Sequence, residues 1–300
     1  MNRLLDQPRL FGLVCAAFAV GLGIVYLTAA GAPVRYPVIN LTAFVAGCAI
    51  WFGVGPLAIS RANGGAALAL SAPLLATALF AMEINGASRW VSVGPLSLQT
   101  SLIVLPAIII LHARSNDAIG TAGVLTAAFA LAVQPDRAMA GVLVAGTGAI
   151  ALAQRSRLSA LAVGAAVVSF GATLLQPDAV PAAAFVERVL YTAFQVHMLV
   201  GFAVVAGCVI LLTPTLSAVR PGPHRPALLA FGASWAALVA AAAIGNYPTP
   251  LVGYGGSAVL GYLLSVALLA RSPRADLRRG AAGERQSVKL QQQAGRAADH

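Results

Sequence analysis

Length, composition and charge together exclude an ordinary soluble protein. The chain has 300 residues, of which 59% are hydrophobic and only 9% charged, and its mean hydropathy is +0.84. Soluble domains are about 45–50% apolar and about 25% charged, so a water-soluble fold of this length could not bury so much apolar surface. We therefore expect an integral membrane protein with almost no soluble domain.

Ten apolar stretches approach the length of a bilayer-crossing helix, about 17–25 residues. In chain order they cover 10–30, 38–60, 65–82, 100–113, 117–134, 136–153, 157–176, 190–213, 226–245 and 252–270. They predict an all-α fold, a polytopic transmembrane bundle of about ten helices over residues 1–270, followed by a basic, disordered cytoplasmic tail over 271–300. The first stretch lacks a clear cleavage site and many spans follow it, so we interpret it as a retained helix and not a signal peptide.

The basic residues indicate how this bundle is oriented. If the N-terminus is cytoplasmic, fifteen of the 19 Lys and Arg residues fall inside, and the four outside are Arg35, Arg89, Arg137 and Arg188. The positive-inside rule then places both termini in the cytoplasm. The formal net charge of +10 is therefore a signal of topology and not of nucleic-acid binding.

The cysteines and histidines predict no metal site. The cysteines lie in apolar spans as packing residues and the histidines lack metal-ligand spacing; they are Cys15, Cys48, Cys208, His112, His197, His224 and His300. For His197, within the eighth span, a hydrogen-bonded structural role is favoured over proton transfer. The sequence has no Gly-rich phosphate loop, so we expect no ATP-driven chemistry within the chain and no cofactor, with a divalent cation left open.

Three segments at the outer ends of the spans carry more information than composition does. Residues 83–99 (EINGASRWVSVGPLSLQ) combine an Asn-Gly turn signal with an interfacial tryptophan. Residues 134–137 (QPDR) form a hairpin in which Asp136 favours the positive start of the next helix. Residues 246–257 (NYPTPLVGYGGS) predict irregular backbone at membrane depth, which is tolerated where it packs in protein or lines a cavity.

In these segments the chain resembles the SEDS family (shape, elongation, division and sporulation), which includes FtsW and RodA. NGASRWVSVGPLSLQ is similar to the family's N-G-A-R/S-R-W-I…G-P…Q-P-S-E stretch, QPDRAMA to its Q-P-D-L-G-T hairpin, and PTPLVGYGGS to its P-T-x-x-x-L-P-x-x-S-Y-G-G-S entry to the last span. The resemblance implies a protein of the bacterial inner membrane that acts in cell division or cell shape. It also implies that the protein polymerises the lipid-linked disaccharide precursor of peptidoglycan, alongside a membrane-anchored transpeptidase.

The resemblance further implies a set of substrate-binding residues. A guanidinium group pairs with phosphate oxygens, and backbone N–H groups at a helix start bind anions. The set comprises Arg89, Trp90, Asp136, Arg137, Arg188, Tyr254, Gly255, Gly256 and Ser257. We expect Arg89, Asp136, Arg137 and the 254–257 segment to converge on one outward-opening cavity.

The loop between the seventh and eighth spans departs from the family pattern. Family members carry a longer loop with a P-E-x-H-T-D-F stretch, whose aspartate is thought catalytic, and a loose alignment puts Ala182 at that position. Asp178 or Glu187 could replace it as the catalytic base. Glu187, Tyr191 and Gln195 have the i, i+4, i+8 spacing of one helix face, so Glu187 is the preferred candidate.

Two functional hypotheses of different classes remain open. A second departure lies at 99–102, where Q-T-S-L replaces the family's Q-P-S-E and loses both the proline and the acid. The chain is either an active membrane peptidoglycan glycosyltransferase with a substitute base, or a non-catalytic relative that binds the lipid-linked precursor or a division or envelope partner as a scaffold. A small-solute transporter ranks third, because the sequence shows no inverted repeat of broken helices.

Overall fold

The computed structural model describes residues 7–61, 64–81, 89–93, 96–177, 181–219 and 221–269. Within these ranges the chain forms eleven α-helices, one 3₁₀ helix (Thr213–Val219) and one antiparallel pair of strands. The helices are α1 (Pro8–Ala29), α2 (Arg35–Arg61), α3 (Gly64–Phe80), α4 (Thr100–Ser115), α5 (Ala118–Val133), α6 (Arg137–Gln154), α7 (Arg157–Leu174), α8 (Val189–Val196), α9 (Met198–Leu212), α10 (Arg225–Ile244) and α11 (Gly256–Leu268). The strands are β1 (Trp90–Val93) and β2 (Leu96–Gln99).

Each predicted apolar stretch contains a helix, which confirms the expected all-α bundle. Of the described helices, α1, α2, α6, α7, α10 and α9 with its 3₁₀ extension are long and apolar enough to cross a membrane by length and composition. The shorter apolar helices are α3, α4, α5 and α11. The chain is a multi-pass membrane protein. The predicted tail over 271–300 lies outside the described residues.

The eighth predicted stretch is divided into two helices at His197. This residue has extended backbone (φ −167°, ψ 145°) and separates α8 from α9. Its Nδ1 accepts a hydrogen bond from the backbone N–H of Leu199 at 3.1 Å, so it caps the first turn of α9. The hydrogen-bonded structural role that the sequence favoured is therefore seen.

Close crossings of the chain depend on glycine, as Gly261 and Gly23 illustrate. A Cβ added at Gly261 in α11 would lie 1.9 Å from the carbonyl oxygen of Leu102 in α4. A Cβ added at Gly23 in α1 would lie 2.8 Å from Cα of Val252, in the segment that precedes α11. Such contacts between backbones are the way in which small residues bring membrane helices together.

A fully buried aromatic cluster joins three helices. Phe231 and Trp235 on α10 pack against Tyr262 on α11, and the rings of Trp235 and Tyr262 meet edge-on with centroids 4.9 Å apart. Trp235 Nε1 donates to Ser265 Oγ at 3.2 Å, and the Tyr262 hydroxyl donates to the carbonyl oxygen of Leu211 in α9 at 2.9 Å. Each polar tip has a partner, as buried Trp and Tyr require.

The two strands lie at one end of the bundle, which is called the hairpin end. The hairpin end comprises β1, β2, the loop 181–188 and the segment 245–255. In the hairpin, Trp90 is paired with Gln99. Towards the far end of α2, the guanidinium of Arg9 lies over the ring of Trp51, 5.0 Å from its centroid, which is a cation–π contact between α1 and α2.

Candidate functional site

A cavity of about 530 Å³ lies at the hairpin end. Its walls come from α2, the first residue of β1, β2, the first turns of α4 and α11, the loop 181–187 and the segment before α11. Most of the lining is apolar, and the polar or amphipathic lining residues are Thr42, Trp90, Ser97, Gln99, Glu187, Thr249, Tyr254 and Ser257. Small-molecule sites are clefts of about 300–1,000 Å³ with a few convergent polar groups, so the cavity has the size and composition of a ligand site.

Glu187 supplies the carboxylate among the described lining residues. Its backbone forms an isolated antiparallel bridge with Pro248, and its Oε2 accepts the backbone N–H of Ala183. Burial raises the pKa of Glu187 above its ordinary value, and hydrogen bonds from the backbone N–H groups of Ala183 and of Glu187 itself oppose that rise. A carboxylate with a raised pKa beside a cavity is suited to exchange a proton with a ligand.

The structure places Glu187 outside the helix on which the sequence analysis put it. Arg188 has a left-handed backbone (φ 59°) and precedes the first residue of α8, Val189. The predicted shared face of Glu187, Tyr191 and Gln195 is therefore wrong, because the chain turns before the helix begins. Tyr191 instead donates its hydroxyl to the carbonyl oxygen of Ala243, at the end of α10.

The 254–257 segment lies where the third motif predicted, in the wall of the cavity. Tyr254, Gly255, Gly256 and Ser257 all line it, and Trp90 of the first motif does so as well. The ring of Tyr254 stacks on Tyr36 of α2, with centroids 3.9 Å apart and planes 8° from parallel.

Asp136 lies behind the cavity and not in its lining. The side chain is 1% exposed and caps α6 by accepting the backbone N–H of Met139 at 3.4 Å. Its other oxygen accepts Ser101 Oγ–H at 2.7 Å and the Gln99 side-chain amide at 3.1 Å. The backbone N–H of Gln99 donates to Ser257 Oγ at 3.0 Å. Asp136 is therefore connected to the cavity lining by hydrogen bonds that run through Gln99 to Ser257.

The predicted phosphate-binding arginines also lie outside the lining. Arg89 is buried and donates to the carbonyl oxygen of Pro135. Arg137 donates to the carbonyl oxygens of Thr173 and Gln176 at the end of α7, at 3.3 and 3.0 Å, and Arg188 is exposed. The 254–257 segment is thus among the residues that line this cavity, whereas Arg89, Asp136 and Arg137 are not.

The remaining predictions concern Asp178 in the loop between the seventh and eighth spans, and the binding of a metal ion. Asp178, the other candidate base, lies outside the described residues. Within the described part of the chain, no group of three or more His, Cys, Asp and Glu side chains is placed to hold a metal ion. Phosphate binding by the three arginines and catalysis by Glu187 stay predictions.

Sequence reasoning missed Asn40, which is fully buried in α2. Its Nδ2 donates to the carbonyl oxygen of Gly253 at 2.8 Å, and its Oδ1 accepts the backbone N–H of Gly255 at 3.1 Å. The signal that could have found it is an amide side chain inside a predicted span, because polar groups in such positions face the interior of the bundle and bind one another or backbone.

Fold and cavity together define a polytopic α-helical membrane protein with a ligand-sized cavity at one end of its bundle. Solved structures show the same fold. The RodA rod shape determining protein of Thermus thermophilus is 22% identical, with a TM-score of 0.62, and the match covers 86% of this chain and 95% of RodA. An aspartate-to-alanine mutant of that RodA matches over the same shares, at 22% identity, with a TM-score of 0.64.

A third match is a chain from a study of polymerisation and crosslinking by a peptidoglycan synthase complex. It is 22% identical, with a TM-score of 0.53 and coverage of 86% of this chain and 95% of that chain. No protein-family model and no curated sequence matches. The chain has the RodA-like fold of SEDS proteins, which confirms at the level of fold the resemblance that its three motifs indicated.

Proposed function

We propose that the protein acts in peptidoglycan synthesis in the bacterial inner membrane, where it polymerises a lipid-linked disaccharide precursor into glycan. The observation that carries the proposal is the position of Glu187, whose carboxylate lies in the wall of the cavity. The RodA-like fold supports it, since one matching protein is named for rod shape determination and another belongs to a peptidoglycan synthase complex.

In the proposed reaction, Glu187 is the general base. It takes the proton of the acceptor hydroxyl, whose oxygen forms a bond to the anomeric carbon of the donor sugar. The bond from that carbon to the diphosphate oxygen breaks, and the diphosphate leaves on the lipid. The raised pKa of Glu187 brings it closer to that of an efficient base near neutral pH. Gly256 and Ser257 at the start of α11 lie in the same wall, and backbone N–H groups at the start of a helix can bind developing negative charge.

A second candidate function is binding without catalysis, and one observation favours it. No Lys or Arg side chain stands among the described residues that line the cavity, whereas a leaving diphosphate is ordinarily stabilised by cations. Arg89 and Arg137 donate to backbone carbonyls instead. In this alternative the protein binds the lipid-linked precursor, or a division or envelope partner, as a scaffold.

Reconstitution separates the two functions. Purified protein in liposomes is given lipid-linked disaccharide, and glycan strands are resolved by gel electrophoresis. The enzyme proposal predicts glycan from the wild type and loss of turnover in Glu187→Gln, because that change removes the base and keeps the shape. Asp178→Asn is the matched control, an acid-to-amide change in the same loop, and is expected to cost less.

Two results of this experiment would contradict the proposed catalysis or the role of Glu187 in it. Wild-type protein that binds the precursor without making glycan overturns the enzyme proposal and leaves the scaffold function. Glycan synthesis by Glu187→Gln at the wild-type rate also overturns the role of Glu187.

We further propose that a membrane-anchored transpeptidase works with this protein. The support is the matching chain from a complex that couples polymerisation and crosslinking. Purification of tagged protein from its native membrane, followed by labelling of transpeptidases with fluorescent penicillin, tests this. A labelled band that copurifies is the expected result, and its absence in mild detergent and in nanodiscs contradicts the proposal.

A further inference from the structure

Asn40 is a buried side chain that joins two distant parts of the chain. It lies in the second turn of α2 and is fully buried. Its amide donates to Gly253 and accepts from Gly255, so donor and acceptor both reach backbone atoms of the segment before α11. Both contacts are to backbone in a remote segment, so Asn40 fixes the path of that segment.

That segment in turn holds the loop that carries Glu187. The backbone N–H of Tyr254 donates to the carbonyl oxygen of Phe185 at 2.7 Å, and the N–H of Thr249 donates to that of Val186 at 3.0 Å. Glu187 itself bridges Pro248. Three consecutive loop residues are therefore paired to the segment that Asn40 holds.

The backbone around Glu187 needs such support. Phe185 and Leu251 have left-handed backbones, with φ of 67° and 62°, a region that side chains with a Cβ rarely adopt. Conformations of this kind persist only where the surrounding structure imposes them. The ring of Tyr36, one turn before Asn40, lies edge-on to Phe185 at 5.9 Å and stacks on Tyr254, so α2 contacts the strained Phe185 and the segment that contains Leu251.

We propose that Asn40 is a positioning residue that fixes Glu187 in the wall of the cavity, acting through the 253–255 backbone and the 185–187 loop. It does not touch a ligand, since its side chain is fully buried. The importance of this position for turnover rests on the proposed function, whereas the mechanical link from Asn40 to the loop does not. An experiment can therefore refute the role in turnover while the link from Asn40 to the loop still stands, and the reverse.

Hydrogen–deuterium exchange in nanodiscs tests the link. Asn40→Leu keeps the number and branching of the side-chain heavy atoms and removes donor and acceptor. We expect amide exchange in peptides that cover 185–187 and 249–255 to become about tenfold faster, as the loss of hydrogen bonds opens a local unit. Thr147→Val is the matched control: Thr147 is fully buried, and within the described part of the chain its hydroxyl bonds only to Leu143 and Val144 of its own helix. The peptides over 185–187 and 249–255 should then exchange as in the wild type.

Asn40→Asp provides the second variant, because it keeps the acceptor for the N–H of Gly255. We expect its exchange to lie between those of the wild type and Asn40→Leu. If Asn40→Leu does not fold, Asn40→Asp compared with Thr147→Val decides the question. Exchange in 185–187 that matches the wild type in the folded Asn40 variants overturns the proposal.

Kinetics supply a readout that a merely structural role would not change. If the wild type makes glycan, Asn40→Leu should lower kcat about tenfold, a larger factor than any rise in KM, because a misplaced base slows the chemical step. A rise in KM with an unchanged kcat contradicts the positioning role. If the wild type makes no glycan, the proposed function fails and the exchange measurement still decides the role of Asn40.

Discussion

Gly261→Ala is expected to force apart α4 and α11, whose first turns line the cavity. The added Cβ would lie 1.9 Å from the carbonyl oxygen of Leu102, whereas a carbon and a carbonyl oxygen ordinarily approach to about 3.3 Å. The helices α4 and α11 would therefore have to separate locally by roughly 1.4 Å. The obstacle is backbone and not the end of a flexible side chain, so it cannot rotate away.

The free-energy change follows from two opposing effects. Overpacking of a close-packed interior costs about 1–3 kcal/mol, and replacing Gly by Ala within a helix returns about 0.5–1 kcal/mol. Gly148→Ala in α6 is the matched control, because its added Cβ meets nothing within 4 Å and only the favourable effect remains. The favourable effect is common to both variants and cancels, so at about 2–4 °C per kcal/mol the overpacking cost of about 1–3 kcal/mol should make Gly261→Ala unfold roughly 2–12 °C below Gly148→Ala.

Thermal unfolding in detergent, followed by the loss of the monodisperse peak in size-exclusion chromatography, measures this difference. The lining residues Leu102 and Ser257 belong to the same two helices, so the affinity for the proposed substrate, the lipid-linked disaccharide, should fall along with the melting temperature. Equal melting temperatures for the two variants would refute the close crossing and the reasoning built on it.

Two other predictions concern Glu187 and the topology. Since burial raises its pKa, folded Glu187 binds its proton more tightly than in the unfolded chain, and its contribution to stability falls as pH rises through the ordinary glutamate range. Glu187→Gln should therefore raise the melting temperature at neutral pH by an amount that shrinks on acidification; a gain independent of pH contradicts this. Reporter fusions at Gly280 and near Ala87 should report opposite sides of the membrane, as the distribution of basic residues predicts, and fusions that report the same side exclude that topology.

The helices were predictable because a helix that crosses a bilayer needs a long apolar segment, and such segments are visible in the sequence. The break at His197 was not predicted, since one extended residue leaves the local composition unchanged. The position of the 254–257 segment in the cavity wall followed from its interrupted sequence, because irregular backbone at membrane depth has to pack in protein or line a cavity.

The partners of the charged groups could not be read from the sequence. Arg89 and Arg137 were expected to bind phosphate because a guanidinium is a good phosphate ligand; in the structure they donate to backbone carbonyls of neighbouring turns, which only the tertiary fold brings near. The helix face assigned to Glu187 failed because Arg188 adopts a left-handed backbone, which periodicity does not reveal. Catalysis by Glu187 rests on its place in the cavity wall and awaits the reconstitution.

The three tryptophans of the chain stand in three separate environments, which makes intrinsic fluorescence a spatially resolved probe. Trp90 lies in the cavity wall, Trp235 is sealed in the aromatic cluster, and Trp51 stacks with Arg9 towards the other end of α2. A ligand in the cavity should shift the emission of Trp90 alone, while loosening of the bundle should shift that of Trp235. Variants that keep one tryptophan each would thus distinguish occupancy from unfolding in a single optical experiment, without any added label.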